Sequence, residues 1–349
     1  QSYTQKMING KTLILRFSSM GDVAMTVPVI RCLEKTYPEN KFIFVTRPKF
    51  RSFFHEFKNV EIFELDFKTR HKGFLGLFQL FSDLRKIKPK RVADLHSALR
   101  TNILSFLFRM FFIKVSVIDK KRKERKALTR KTNKIFKPLT PIHFLYQEVF
   151  NKLGFSIDLT KDHVFPPSKV FNLNTDSVDI DSGKLVGIAP FAKHGAKMYP
   201  LDMMQKIISY VQEKHNVFLF GFGKLEMDTI NKWSSTFKNV YSCNDLGGFK
   251  NEISLISNLD LMISMDSANG HIASIYNVPV ITLWGLTHPY AGFATFNSSP
   301  SNQFLVDREQ YPLIPNSVYG NKMIEGYEDA MRTISIEEVL GRVNEILLN

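Results

Sequence analysis

Short apolar runs alternate with amphipathic stretches along the first half of the chain. Polar turns bound the runs, which is typical of buried strands in a parallel sheet, and the longer stretches have the spacing of amphipathic helices. The predicted strands are 12–17, 41–46, 60–65, 91–95 and 114–118. The predicted helices are 23–37, 73–87, 103–112 and 142–153. This alternation predicts a doubly wound α/β domain.

The same alternation returns in the second half. The predicted strands are 185–189, 217–220, 240–241, 259–264 and 280–283. The predicted helices are 201–214, 226–237, 252–258, 271–276 and 335–348. Residues 296–326 are rich in Ser, Asn and Pro and are predicted to be mostly loop. The last of the helices is expected to pack back on the first domain.

The boundary between the two halves is predicted where the alternation of apolar strands and amphipathic helices is interrupted. The segment around Pro166 and Pro167 has no clear repeat, so we predict a linker at 166–184. At 349 residues the chain is long for one core. It is therefore predicted to form two Rossmann-like domains, 1–165 and 185–349.

Charge is spread unevenly over the two predicted domains. The net charge is +14, and the excess of Lys and Arg lies in the first 170 residues. The densest run, 120–137, has ten basic residues and a single acidic one, Glu124. A basic half joined to an acidic half predicts different partners for the two, although such a run is also compatible with a solvated face.

The cysteines and the hydropathy of the sequence argue against a secreted, disulfide-bonded protein and against a membrane-spanning one. Cys32 and Cys243 lie far apart and have no disulfide-scaffold or metal-site spacing, which favours a reducing compartment. Residues 1–10 lack the apolar centre of a secretory signal. No run approaches the roughly 20 apolar residues that a membrane span requires. We therefore expect a cytoplasmic protein.

A first candidate site follows the first predicted strand, in the turn SSMGD. Small residues there allow the backbone to approach a ligand, and ligands bind at the carboxyl ends of strands in such folds. Asp22 could act as a general base for a sugar hydroxyl, a role that requires one carboxylate and no metal. The alternative is an ordinary helix cap.

Two turns of the second domain carry further candidates. The loop PFAKHGAKMYP holds Lys193, His194 and Lys197, which could neutralise a diphosphate leaving group or could simply form a solvated basic loop. The turn GFGKLE lacks the third glycine of a dinucleotide fingerprint. Its Glu226 could hold ribose hydroxyls, or could be a first-turn glutamate that the helix dipole favours.

The stretch 259–293 predicts a strand, a polar turn, a short helix and a second strand. The N-terminus of such a helix suits a phosphate, whereas Asp266 in the same turn suits sugar hydroxyls. Together they predict a nucleotide-sugar site that includes Asn269 and His271. The turn Thr287-His288-Pro289 ends the neighbouring strand and is expected to face the same crevice.

A basic group in the first domain could bind an anionic acceptor, although a solvated charge cluster is the alternative. Its members are Lys68, Arg70, His71, Lys72, His96 and Arg100. Metal and covalent chemistry find little support, because the sequence has no His/Cys cluster of ligand spacing, DxD pair, GxSxG elbow or Walker loop.

Four motifs together resemble glycosyltransferase family 9, the ADP-heptose:lipopolysaccharide heptosyltransferases and their relatives. The motifs are LILRFSSMGDVAMTVPVI, DLHSALRTN, IAPFAKHGAKMYP and SMDSANGHIASIYNVPVITLWGLTHP. The resemblance implies a GT-B architecture, with two Rossmann-like domains facing across a cleft and the donor mainly on the C-terminal domain. It also implies inverting transfer that requires no metal and no cofactor.

The resemblance assigns roles to individual residues. Asp22 would be the general base, Lys197 would hold the donor diphosphate and Glu226 the ribose, and Asp266 and His271 would contact sugar and phosphates. The complete set expected at the donor is Ser19, Gly21, Lys193, Lys197, Glu226, Asp266, Ser267, Ala268, Asn269, His271 and Thr287. The set expected at the acceptor is Arg70, His71, Lys72, His96 and Arg100.

The resemblance further implies partners and location. The donor would be ADP-heptose, and the acceptor an anionic lipid A-Kdo glycolipid on the inner face of the inner membrane of a Gram-negative bacterium. Residues 104–137 are predicted to attach the protein peripherally to that surface. Phe191 and Ala192 replace hydroxyl residues of some members, and Ala268 stands where the family often has Gly, which leaves a non-heptose donor as an alternative.

Two other functions remain open on sequence grounds. A nucleic-acid-binding protein would explain the net charge, but no recognition motif is present, and the excess charge is confined to one half. A nicotinamide-dependent enzyme would explain GFGKLE, but the incomplete fingerprint argues against it.

Overall fold

The computed structural model describes residues 8–166, 183–243 and 247–348. The chain divides into two compact units. Unit 1 comprises Gln1–Lys120 and Ile142–Phe165, and unit 2 comprises Lys121–Pro141 and Pro166–Asn349. The predicted linker, 166–184, lies almost entirely outside the described residues.

Unit 1 is built on a five-stranded parallel sheet of order β3-β2-β1-β4-β5. Its strands are β1 (Thr12–Leu15), β2 (Phe42–Thr46), β3 (Val60–Glu64), β4 (Arg91–Asp94) and β5 (Lys114–Val117). Its helices are α1 (Met20–Ala24), α2 (Val27–Thr36), α3 (Gly73–Lys86), α4 (Leu99–Met110) and α6 (Ile142–Leu153). Every residue of β1 and β2 is buried, as expected of central parallel strands covered on both faces.

The predicted helix 23–37 is two helices in the structure. Pro28 has no N–H to donate to the carbonyl one turn earlier, so the first helix ends at Ala24 and α2 begins at Val27. The first helix also begins earlier than predicted, at Met20. Asp22 therefore lies in the first turn of α1, where the helix dipole favours a carboxylate.

Unit 2 contains a six-stranded parallel sheet of order β11-β10-β9-β6-β7-β8. Its strands are β6 (Leu185–Ala189), β7 (Asn216–Leu219), β8 (Val240–Ser242), β9 (Leu261–Met265), β10 (Val280–Trp284) and β11 (Gln303–Leu305). Its helices are α5 (Arg122–Thr129), α7 (Leu201–Val211), α8 (Lys224–Thr236), α9 (Phe249–Asn258), α10 (Ala268–Ile275) and α11 (Ile336–Leu348). The predicted fold class, two doubly wound parallel-sheet domains, is confirmed.

Two further elements of unit 2 bear on the predictions. The final helix, α11, buries Val339, Val343 and Leu347 in the core of unit 2 itself. The segment predicted as mostly loop supplies β11, which pairs in parallel with β10. A strand of three residues is too short for a periodic pattern to indicate. Among the described residues, no helix is long and apolar enough to cross a membrane.

The basic run also lies in a different unit from the one predicted. Residues 121–141 pack with unit 2, although the prediction gave 1–165 to the first domain. The ammonium of Lys134 donates to the carbonyls of Leu128 (3.1 Å), Leu313 (2.9 Å) and Pro315 (2.5 Å). The local sequence of a basic run does not show whether its side chains donate to backbone carbonyls of a distant loop. A solvated run and an anchored run therefore cannot be distinguished from the sequence.

Aromatic contacts also hold residues 121–141 on unit 2. The ring of Phe136 lies 4.9 Å from that of His288 and 4.8 Å from that of Tyr290, and the guanidinium of Arg308 stacks over it at 3.4 Å. The backbone N–H of Leu139 donates to the carbonyl of Tyr290 at 2.9 Å. The segment therefore packs against the loop that follows β10.

Lys134→Met should loosen this segment. It removes three hydrogen bonds from one charged donor, which together stabilise the closed segment by about 1–3 kcal/mol. We expect trypsin to cleave within 121–141 several-fold faster than in the wild-type chain. Lys131→Met is the matched control, because it also deletes one cleavage site in the segment but changes an exposed side chain. Equal cleavage of both variants would show that Lys134 does not hold the segment.

Candidate functional site

The candidate base, Asp22, lies at the carboxyl end of β1 and is held through one oxygen. Its Oδ2 accepts hydrogen bonds from the Ser19 hydroxyl (2.7 Å) and the Ser19 backbone N–H (3.2 Å), and forms an ion pair with Arg16 Nη2 at 2.5 Å. Among the residues that the structure describes, none donates to Oδ1. The side chain keeps 26% of its exposure, so one carboxylate oxygen is fixed and the other is available.

The surroundings of Asp22 stabilise its charged form. Burial alone would raise the pKa of this carboxyl, but the charge of Arg16 and the hydrogen bonds from Ser19 outweigh burial and lower the pKa below its ordinary value. Asp22 is therefore ionised at neutral pH. An ionised carboxylate with a free oxygen at this edge of the sheet can accept a proton from a bound hydroxyl.

Arg16 is a site residue that the sequence analysis missed. It follows β1 directly, is buried, and donates from Nη1 to the carbonyl of Leu95 at 2.9 Å. Burial opposes its charge, but Tyr146 and Asp22 keep the pKa of this guanidinium above its ordinary value. The available signal was a charged residue inside the apolar run TLILRF, since buried charges in such positions require a partner.

His96 lies beside the same edge, at the end of the neighbouring strand β4. Its Nδ1 accepts from the backbone N–H of Phe17 at 3.4 Å. Burial, together with the nearby charges of Arg16 and Lys120, lowers the pKa of His96 to about 4, so the imidazole is neutral at physiological pH. The buried carboxylate of Asp94 accepts from the N–H of His96 at 2.9 Å and fixes the loop.

The other predicted acceptor residues have three different surroundings. Arg70 forms a bidentate pair with Asp83 (2.7 and 2.8 Å), and buried His71 lies 3.4 Å from the same carboxylate, which favours a structural role for both. Lys72 is exposed at the start of α3. Arg100 stacks over the Phe67 ring at 4.4 Å, so it remains beside the edge that holds His96.

In unit 2 the structure brings together three turns, after β6, β9 and β10. Lys197 Nζ donates to the backbone carbonyl of Asp266 at 2.5 Å and to its Oδ2 at 3.2 Å. The Thr287 hydroxyl donates to that same Oδ2 at 3.1 Å. Both members of the ion pair are nearly buried. Within the described ranges Oδ1 of Asp266 accepts no hydrogen bond, so it can accept from a ligand.

Close backbone contacts fix the position of Lys197. Gly285 lies against the carbonyl of Ala196, and the N–H of Leu286 donates to that carbonyl at 2.8 Å. Gly320, at φ +67°, lies against the methylene stem of Lys197, where a Cβ would overlap the Cγ atom. Gly320 was not predicted, because nothing in the loop sequence links it to a lysine more than a hundred residues away.

The N-terminus of α10 lies next to this ion pair. The helix begins at Ala268, three residues before the predicted start, so the N–H groups of the first turn, which includes Asn269, point out of the helix end. The hydroxyl oxygen of the N-cap, Ser267, is buried and has no hydrogen-bond partner among the described residues. His271 is buried in this turn. A buried unpaired hydroxyl beside free N–H groups is the local chemistry of an anion site.

The remaining donor candidates are less tightly held. Glu226 lies in the first turn of α8, and its Oε2 accepts from the N–H of Phe222 at 2.7 Å, which fits the helix-terminus alternative as well as a ligand role. Lys193 is exposed in the loop after β6. In the parts of the chain that the structure describes, no three His, Cys, Asp or Glu side chains group closely enough to hold a metal.

The sequence is similar to that of known glycosyltransferases. The family model described as glycosyltransferase family 9 (heptosyltransferase) matches residues 83–311. The lipopolysaccharide core heptosyltransferase OpsX of Haemophilus influenzae is 23% identical over 285 residues, which cover 79% of each chain.

Solved structures show the same fold. A glycosyl transferase family 9 protein of Veillonella parvula aligns with a TM-score of 0.72 at 19% identity and covers 97% of each chain. The E. coli heptosyltransferase WaaC with ADP-2-deoxy-2-fluoro heptose aligns with a TM-score of 0.64 at 16% identity, covering 96% of this chain and 99% of that one. Because the family model matches more than half of its residues, this chain belongs to glycosyltransferase family 9, the heptosyltransferase family.

Proposed function

We propose that this chain transfers a heptose from ADP-heptose to the core of an anionic lipopolysaccharide acceptor, with inversion and without a metal. The observation that carries the proposal is the Asp22 carboxylate, which is ionised, fixed through Oδ2 and free at Oδ1. Membership of family 9 supports the class of reaction. The relative WaaC was solved with a fluorinated ADP-heptose, which supports this donor.

In this mechanism Asp22 is the catalytic base. The acceptor hydroxyl would donate to Oδ1, and its proton would pass to the carboxylate as its oxygen attacks the anomeric carbon. The bond from that carbon to the diphosphate oxygen breaks, and attack from the opposite side inverts the configuration. A carboxylate of low pKa is a weak base, so proton transfer is expected to lag behind attack. Arg16 is a positioning residue that keeps Oδ2 occupied and charged.

The donor diphosphate is expected at the N-terminus of α10. Lys197 and Asp266 form a neutral pair, so the pair alone attracts an anion only weakly. The additional positive potential would come from the free N–H groups and the dipole of α10, and the unpaired Ser267 hydroxyl would donate to a phosphate oxygen. Asp266 Oδ1 would accept from sugar hydroxyls while its Oδ2 continues to orient Lys197.

The acceptor side is expected to use cations near Asp22 in unit 1. Arg100 and Arg47 stack on the same ring, that of Phe67, at 4.4 and 5.9 Å, which would present two guanidinium groups to a carboxylate or phosphate. With a lipid-linked acceptor, the protein would work at the cytoplasmic leaflet of the inner membrane as a peripheral enzyme. Nucleic acid is not an expected partner.

Donor identity can be tested by thermal shift with ADP-, UDP- and GDP-sugars, with and without EDTA. We expect ADP-heptose to raise Tm equally in both conditions. Lys197→Met should weaken donor binding by about tenfold or more, since it removes a charged donor to phosphate. Lys232→Met, at an exposed lysine of α8 in the same unit, is the matched control. Stabilisation by another nucleotide sugar would indicate a different donor, and loss of binding in EDTA would contradict metal independence.

Asp22→Asn should reduce transfer by about 10²- to 10⁴-fold, the usual contribution of a general base. The amide keeps the size of the carboxylate but cannot accept the proton, so donor affinity should stay unchanged. Turnover is measured with ADP-heptose and a core acceptor, and donor affinity by calorimetry. Asn leaves Arg16 without its counter-charge, so Tm is recorded as the control for folding. Retained turnover in a folded variant would exclude Asp22 as the base.

The pH profile tests the role of Arg16. The folded pKa of Asp22 is depressed, so the base is ionised above that value, and activity is lost only as pH falls through it, below 3.8. In Arg16→Met, burial is no longer opposed, and the acidic limb of kcat/KM should move upward into the measurable range. Arg16→Lys, which keeps the charge, should leave the limb low. An unchanged limb in Arg16→Met would contradict the assignment.

A further inference from the structure

Two neighbouring helices of unit 1 expose large apolar side chains. On α3, Phe74 is 68% and Leu75 is 82% exposed. On α4, Leu99 is 76%, Phe106 is 59% and Met110 is 63% exposed. Scattered single apolar residues on a surface require no explanation, but five on adjacent helices do.

These side chains lie on one face of the unit. The ring of Phe81 on α3 lies 5.0 Å from that of Phe108 on α4 and 5.6 Å from that of Phe111, so the helices pack side by side. Both helices bury their inner sides in one core, with Leu13 and Leu15 of β1. Their outer sides therefore form a shared surface, here named the α3–α4 face. Its apolar members are Phe74, Leu75, Phe78, Leu99, Phe106 and Met110.

The exposed charged side chains of α3 and α4 are all cationic. Helix α4 contains Arg100 and Arg109 and has no acidic residue. The one acidic residue of α3, Asp83, is nearly buried and is already paired with Arg70 and Lys86. Exposed apolar groups among unopposed cations complement a surface that is apolar inside and anionic outside.

We propose that the α3–α4 face rests on an anionic phospholipid bilayer, with its Phe, Leu and Met side chains at the acyl boundary and its Arg and Lys side chains among the headgroups. A second copy of the chain fits less well, because a two-fold contact would bring the cations of one face against those of the other. The biological role of this binding rests on the proposed function, because a lipid-linked acceptor would lie in such a bilayer.

The position of the face in the fold agrees with this purpose. Helices α3 and α4 begin just after β3 and β4, at the carboxyl edge of the sheet that also carries Asp22. Leu99 begins α4, which follows the strand next to β1, so this end of the face lies at the sheet edge that carries the candidate base. Of the segment 104–137 predicted to attach to membranes, only the part in α4 belongs to this face, and the remainder beyond residue 120 packs with unit 2.

Flotation of the full chain with vesicles tests the surface. Wild-type protein should float with phosphatidylcholine vesicles that contain phosphatidylglycerol, and more weakly with phosphatidylcholine alone. Leu75→Ser/Phe106→Ser should lower the partition coefficient by at least about tenfold, because burying one such side chain favours association by about ten- to a hundredfold. Met323→Ser/Leu348→Ser is the matched control, since it removes exposed apolar groups from unit 2.

Charge is tested with a second matched pair. Arg85→Gln/Arg109→Gln removes two exposed cations of the α3–α4 face and should weaken binding to the anionic vesicles roughly fivefold per charge. Lys123→Gln/Lys126→Gln removes two exposed cations of α5 and should have a smaller effect. The proposal is overturned if the apolar variant floats like the wild type, or if the α5 charge variant loses more binding than the α3–α4 charge variant.

Two further readouts separate the alternatives. Sedimentation of wild-type and Leu75→Ser/Phe106→Ser protein without lipid should give the same species, and a dimer lost in the variant would identify a self-association surface instead. Transfer should fall in that variant for a vesicle-embedded acceptor and stay unchanged for a deacylated, water-soluble one. A wild-type chain that floats but transfers to neither acceptor would refute the proposed function and leave the membrane surface standing.

Discussion

In each unit, one carboxylate oxygen of an aspartate binds a nearly buried cation, and no described residue donates a hydrogen bond to the other oxygen. Arg16 holds Oδ2 of Asp22, and Lys197 holds Oδ2 of Asp266. Removing one partner of either pair would leave a buried charge uncompensated and would lower the free energy of unfolding by several kcal/mol. Both members of each pair are therefore required. The same contact that makes the buried charge tolerable also orients the carboxylate, and the polar chemistry at both sheet edges depends on it.

The parallel sheets explain where these pairs occur. All strands of one sheet end at the same edge, so turns from β6, β9 and β10 meet although they are far apart in sequence. Parallel sheets also require helices on both faces. Helices α3 and α4 bury their inner sides against the first sheet. Their outer sides do not contribute to this core, so apolar side chains such as Phe74 and Leu75 can be exposed there without weakening it.

Local pattern predicted the elements better than the contacts between them. Strand 185–189 and helix 142–153 were predicted with the bounds that the structure has, because apolar period and helix-terminating residues are local. The starts of α1 and α10 lie three residues earlier than predicted, since Ser19 and Ser267 begin these helices in turns without apolar periodicity. Arg16 and Gly320 were missed because their partners lie in other parts of the chain.

The basic run shows why net charge alone misplaces a surface. Lys134 donates hydrogen bonds to three backbone carbonyls, and buried Arg125 stacks over the ring of Phe293 at 4.7 Å. Part of the positive charge that suggested a lipid-facing segment therefore holds residues 121–141 on unit 2. Attraction to an anionic bilayer requires cations that remain exposed next to groups able to enter it. Arg109 beside Phe106 and Met110 meets both conditions. In the proposed binding to a bilayer, the position of cations relative to apolar side chains therefore matters more than the net charge of +14.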